Sequence, residues 1–108
     1  MSPSRIQALR AQCGGPRDGA LLRFSLGAAL LDANDAAEAR AELERATAFD
    51  PAYSAAWKLL GKACVDSGDT AAAAQAWRRG IAAAEARGDE QARKEMTVFL
   101  RRLERSTG

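Results

Sequence analysis

Between Trp57 and Ile81, large and small apolar residues recur at helical spacing. Trp57, Leu60, Gly61 and Cys64 stand at i, i+3, i+4 and i+7, which puts them on one face of a helix. The polar stretch Asp66-Ser67-Gly68-Asp69 interrupts the pattern, and Ala73, Trp77 and Ile81 resume it. This predicts two helices joined by a tight turn. Gly61 and Ala73 are small enough to let the two backbones approach, and Trp57 and Trp77 fill the space beside them.

The pattern occurs twice. Subtracting 34 takes Leu60 to Leu26, Gly61 to Gly27, Asp69 to Asp35, Ala73 to Ala39 and Trp77 to Leu43. It also takes Gly68 to Asn34, and these two residue types most readily adopt the left-handed conformation that ends a helix. A helix–turn–helix period of 34 residues reading W-x-x-L-G-x-x-Y, then A-x-x-x-F, then P is the tetratricopeptide signature. The chain resembles that family, and in particular short bacterial tetratricopeptide proteins, over about Ala20 to Arg87. It departs from the signature where Arg23 takes the place of Trp, where Leu30 and Cys64 take the place of Tyr, and where Glu85 takes the place held by Pro51 in repeat one. The resemblance implies an all-α TPR helix-turn-helix solenoid.

The remaining elements are placed around these repeats. Residues 4–13 form an N-terminal helix, with Met1 to Pro3 frayed, Ser4 as its cap and Ile6, Leu9 and Cys13 on one side. Gly14-Gly15-Pro16 ends it. Repeat one covers 20–53. Its first helix starts near a possible cap at Asp18 and its second runs from a cap at Asp35 to Phe49. Ala39, Leu43 and Ala46 face inward, and Glu38, Glu42 and Glu44 form an acidic outer side. Asp50-Pro51 makes the turn into repeat two, 54–87. With no proline at its end, the second helix of repeat two is the longer one. Gly88 stops it, Asp89 caps a last helix, and residues 88–105 close the apolar face of the final repeat, as a solenoid requires. Ala92, Met96, Phe99, Leu100 and Leu103 make the apolar stripe of that helix. Strict 34-residue counting would put Ala92, Met96 and Phe99 at the places of Lys58, Lys62 and Val65, so burying the stripe requires the helix to rotate.

At 108 residues the chain is one domain. A net charge of +2 does not by itself point to nucleic acid or membrane. No apolar run approaches the roughly 18 residues of a membrane span, and no leader is seen, so a cytoplasmic location with both Cys13 and Cys64 reduced is expected. Residues 78–108 carry eight Lys/Arg against five Asp/Glu, and residues 32–50 carry six acids against two Arg. Acids are interleaved through the basic tail, which reads as a solvated helix face. There is no histidine and no Cys-x-x-Cys, phosphate loop or dinucleotide fingerprint. Neither an enzyme activity nor a metal or cofactor is expected.

The resemblance implies a non-catalytic scaffold that holds a peptide or helix of a partner protein in its concave groove. In the family, that groove is lined by the first helix of each repeat. The matching positions are Leu21, Phe24, Ala28 and Leu31, then Ala55, Lys58, Lys62 and Val65, with Asp32 and Asp66 at the edge. This gives a groove apolar at one end and cationic in the middle. Some relatives clamp a terminal carboxylate with Lys and Asn. Phe24 and Ala28 occupy the places of Lys58 and Lys62 in repeat one, so that clamp is incomplete. Phe24 either anchors a partner or packs sideways on the first helix of repeat two. Two other functions stay open: a self-associating structural module, because two repeats are fewer than the roughly three that isolated arrays need, and a basic nucleic-acid accessory protein.

Overall fold

The computed structural model describes residues 2–107, with side chains over 5–106. Six helices follow one another: α1 (Ser2–Ala11), α2 (Ala20–Asp32), α3 (Ala36–Phe49), α4 (Ser54–Asp66), α5 (Thr70–Arg87) and α6 (Glu90–Thr107). No strand occurs among the described residues. Each helix packs on the next, and the stack measures 40 × 29 × 19 Å.

One chemical device makes three of the turns. Asn34 and Gly68 take left-handed φ values of 63° and 82°, and Gly88 does the same after α5. The backbone then folds back, so that the N–H groups of Asp35, Asp69 and Asp89 donate to the carbonyls of Leu30, Cys64 and Ala84 at 2.9, 2.9 and 2.8 Å. This satisfies carbonyls that a helix end leaves orphaned. The same three aspartates cap the following helices, accepting from the N–H groups of Glu38, Ala72 and Ala92. Each aspartate therefore closes one helix through its backbone and opens the next through its side chain. The turn between α3 and α4 differs because Pro51 cannot continue a helix. There Asp50 accepts from Ala52 N–H through its carboxylate and from Tyr53 N–H through its carbonyl.

Within each hairpin a glycine receives a large side chain. A Cβ on Gly27 would lie 2.6 Å from Leu43 Cγ, and a Cβ on Gly61 would overlap the Trp77 indole, meeting Cδ1 at 2.5 Å. The Trp77 indole N–H also donates to the Lys58 carbonyl at 3.0 Å. Leu26, Leu43, Ala39, Ala46, Ala63 and Ala73 are fully buried around these contacts. A third glycine, Gly80, was not singled out by the repeat pattern. It admits Met96 from α6, and a Cβ there would also stand 2.7 Å from Trp57 Cβ.

The last helix does rotate away from strict repeat register. Met96 is fully buried and Ala92 is buried with it, whereas Lys58 and Lys62 at the matching places are not. Phe99 stays half-buried at the edge, tilted on Trp77 with ring centroids 5.5 Å apart. The apolar stripe, more than the repeat count, sets the rotation of α6.

Several expected details change. α1 begins at Ser2, so Ser4 lies inside the helix and does not cap it, and Pro3 is helical. Met1 lies outside the described residues. Cys13 follows the end of α1, still half-buried. Gly19, not Asp18, stands at the N-cap of α2 and makes no side-chain cap. Glu42 is not on an acidic outer face but is buried.

Candidate functional site

The first helices of the hairpins lie close together and the second helices do not. α4 comes close to both α2 and α6, while no Cα of α3 lies within 8 Å of one of α5. The stack therefore curves, with α2, α4 and α6 along its inner side. The side chains proposed from sequence for the groove belong to α2 and α4.

On α2, Leu21 is 69% exposed at the first turn. Phe24, Ala28 and Leu31 are half-buried, and Asp32 is exposed at the C-terminal end. Phe24 packs on Tyr53, the residue before α4, with centroids 5.0 Å apart at 37°. Burial of the Tyr53 ring pushes its hydroxyl above the usual tyrosine range. Phe24 thus supports the junction to α4 and keeps part of its ring open to solvent.

On α4, Ala55 is half-buried and Val65 is 37% exposed. The two lysines are not free. Lys58 Nζ donates to Glu95 Oε1 of α6 at 2.9 Å, and that bond holds the Glu95 carboxyl below its usual range. Lys62 lies 3.7 Å from Asp66. The middle of the groove is charge-balanced, not cationic as the α2 and α4 positions alone implied. Glu95 was missed because the repeat frame aligns it with Gly61. Only the rotation of α6, readable from its apolar stripe, brings it to Lys58.

A cavity of about 260 Å3 opens at the C-terminal end of α4, lined by Lys62, Val65, Asp66, Trp77 and Phe99. A second recess of about 350 Å3 is lined by Leu31, Asn34, Ala36 and Asp66. Asp66 lies on both. The structure thus brings Leu31, Lys62, Val65 and Asp66 into one neighbourhood. Leu21, ten residues before Leu31 on α2, lies about 15 Å along the helix from it.

A separate cluster forms at the start of α2. Arg23 donates to both carboxylate oxygens of Asp18 at 2.9 and 2.8 Å and to Glu42 Oε1 at 2.7 Å. Arg45 holds the other Glu42 oxygen at 3.1 Å. Hydrogen bonds from Arg23 and from Gly14 N–H hold the Asp18 carboxyl far below its normal range. Arg23 stands where repeat two has Trp57, and Glu42 where it has Ala76. The 34-residue frame therefore contained this pair: two opposite charges at positions that are apolar and buried in the other repeat.

Cys64 is buried and burial pushes its thiol up, away from nucleophilic use. Among the described residues no group of His, Cys, Asp and Glu could hold a metal ion, and no helix is long and apolar enough to cross a membrane.

No family model matches the chain. Over 101 residues it is 54% identical to a TPR repeat-containing protein, PA0015, of Pseudomonas aeruginosa, a match that covers 94% of this chain and 96% of that protein. Among solved structures it resembles the solution structure of protein BPP2914 from Bordetella parapertussis, with a TM-score of 0.78 and 48% identity over 95% of this chain and 87% of that one. The crystal structure of MamA matches with a TM-score of 0.71 over 94% of this chain and 66% of that chain; at 21% identity the likeness is one of fold.

Proposed function

The chain belongs to the tetratricopeptide-repeat family, and from that premise we propose that it is a non-catalytic interaction module which holds a peptide or helix of a partner protein against its concave face. The observation that carries this reading is the cavity between Val65, Trp77 and Phe99, framed by Lys62 and Asp66 and continued toward Leu31. Its walls are apolar and its rim carries both charges, which suits an amphipathic segment that buries one side chain and pairs at its flanks. Leu21, Phe24, Ala28 and Ala55 extend the face along α2 and α4, and Asp32 lies at its edge. Lys58 contributes through its pair with Glu95 and so acts as part of a charge-balanced floor. The same reading places the protein in the cytoplasm, where free thiols such as Cys64 persist.

The test uses partner proteins captured from native extract by the wild-type chain. Val65→Arg puts a charge at the mouth of the cavity on a surface position, so its fold should hold. The reading expects loss of the captured partner with an unchanged melting curve. Retention of the same partner by folded Val65→Arg would remove the cavity from the site. A wild-type mass in solution of twice 11.5 kDa, lost in Val65→Arg, would mean that the face binds a second copy of the chain instead.

A further inference from the structure

The backbones of α3 and α5 stay more than 8 Å apart between Cα atoms, and a cleft of about 320 Å3 runs down between them to α4. It opens on the side of the solenoid opposite the groove. Trp57, Leu60 and Cys64 form its floor, and Ala72 and Ala76 of α5 form a low wall. Arg40, Glu44 and Thr47 line the α3 side, and Gln75 and Arg79 line the α5 side. Small alanines on one wall and an aromatic floor leave room for about one or two side chains.

The rim charges are not equivalent. Arg40 is engaged by Asp69 at 3.0 Å and by Glu44 at 3.5 Å, which uses the rim's one acid. Arg79 makes no ion pair among the described residues. Its guanidinium carbon lies 5.8 Å from the centroid of the Trp57 ring, at the outer limit of a cation–π contact. Arg79 is therefore the unpaired cation of the mouth, and it lies beside an apolar floor. Cys64 contributes an apolar contact, since burial pushes its thiol up.

We propose that this convex cleft is a second docking site, for a partner-protein segment that carries a carboxylate beside one aliphatic or aromatic side chain. The carboxylate pairs with Arg79, whose fork of donors matches it. The apolar side chain lies over Trp57 and Leu60, between α3 and the alanines of α5. A basic segment is disfavoured by Arg79. A site this small binds weakly on its own and adds to an attachment elsewhere on the same partner. The inference stands apart from the groove reading, because the two sites share no lining residue.

The two tryptophans separate the sites in one experiment. Trp57 lines the convex cleft and Trp77 lines the concave cavity, so their indole N–H resonances report on different faces. The probe is a blocked pentapeptide, Ala-Asp-Leu-Asp-Ala, titrated into the isotope-labelled full chain, with Ala-Lys-Leu-Lys-Ala as control. The acidic peptide should shift the Trp57 and Arg79 side-chain signals with a Kd of order 1 mM, leaving Trp77 in place. Arg79→Gln should weaken it about fivefold or more, as expected for loss of a charge-assisted pair. Ala72→Leu, which fills the cleft and keeps Arg79, should abolish it. The proposal is overturned if Trp57 does not move, if the lysine peptide produces the same shifts, or if both variants bind as the wild type does. Shifts confined to Trp77 and Val65 would overturn it too, while leaving the groove reading intact.

Discussion

The indole of Trp77 occupies the space where a side chain at Gly61 would begin. Its N–H donates to the Lys58 carbonyl one turn earlier on α4. The pair sets how closely α4 and α5 approach, and Gly27 with Leu43 does the same for α2 and α3. Replacing Gly61 by Ala should therefore destabilise the fold despite the better helix propensity of alanine. Trp77→Ala should cost about 3–5 kcal/mol, because a buried aromatic leaves a hole that glycine cannot fill. Urea unfolding followed by far-UV dichroism measures both. A loss below about 1 kcal/mol for Trp77→Ala would contradict its place between the helices.

Arg23 should be needed for stability only because Glu42 is there. The two side chains are 13% and 11% exposed. Arg23→Ala would leave Glu42 buried with only the exposed Arg45, and should cost about 3 kcal/mol. The double change Arg23→Trp with Glu42→Ala recreates the Trp57 and Ala76 pattern of the other repeat, and should restore most of that loss. Apolar replacement of a buried ion pair is commonly neutral or favourable. A double variant no more stable than Arg23→Ala would show that the first repeat cannot accept the packing of the second.

The same cluster gives an acid dependence with a defined sign. The Asp18 carboxyl is held below its normal range, first by Arg23 and then by Gly14 N–H. A depressed folded-state value contributes stability above the unfolded carboxylate value of about 3.9 and loses it as pH falls through the folded value. Thermal melting of the wild type should therefore fall below about pH 4 more steeply than that of Asp18→Asn. Parallel curves for the two proteins would remove Asp18 as a contributor.

The hairpins were legible because their contacts repeat. Gly27 with Leu43 and Gly61 with Trp77 lie at the same offset, and Asn34 and Gly68 make the same turn. Non-repeating features were less legible. Asp18 reads as a helix cap by residue type, yet its carboxylate accepts from the Arg23 guanidinium and from the N–H groups of Gly14 and Gly19 instead. Glu95 and Gly80 owe their roles to α6, whose rotation follows its own apolar stripe. The proposed groove positions were legible as places on α2 and α4. Their charge state was not, because the partner of Lys58 comes from a helix outside the two repeats.

Removing residues 89–108 should uncover the surface that Met96 fills beside Gly80 and that Phe99 covers on Trp77. A terminal helix of this kind keeps a solenoid soluble. The truncated chain should self-associate or precipitate, which light scattering would detect. A soluble, monomeric and fully helical product would mean that α6 is an accessory to the fold.

Phe24 and Lys58 test the concave face from its two sides. Phe24 contacts Tyr53 and remains partly exposed, so Phe24→Ala should cost about 1–2 kcal/mol, less than a fully buried aromatic. A loss of 3 kcal/mol or more with partner binding intact would make Phe24 purely a core residue. Lys58→Glu places two carboxylates where Lys58 and Glu95 now pair, on side chains about one-third exposed. Its stability cost should stay near 1 kcal/mol because solvent screens the pair. Adding Glu95→Lys restores opposite charges with the polarity reversed. If the pair only joins α4 to α6, the double variant regains both stability and partner capture. If Lys58 also meets an acidic group of the partner, the double variant regains stability alone. Melting and capture measured side by side on the three proteins distinguish these outcomes, and capture unaffected in all three would take Lys58 out of the groove.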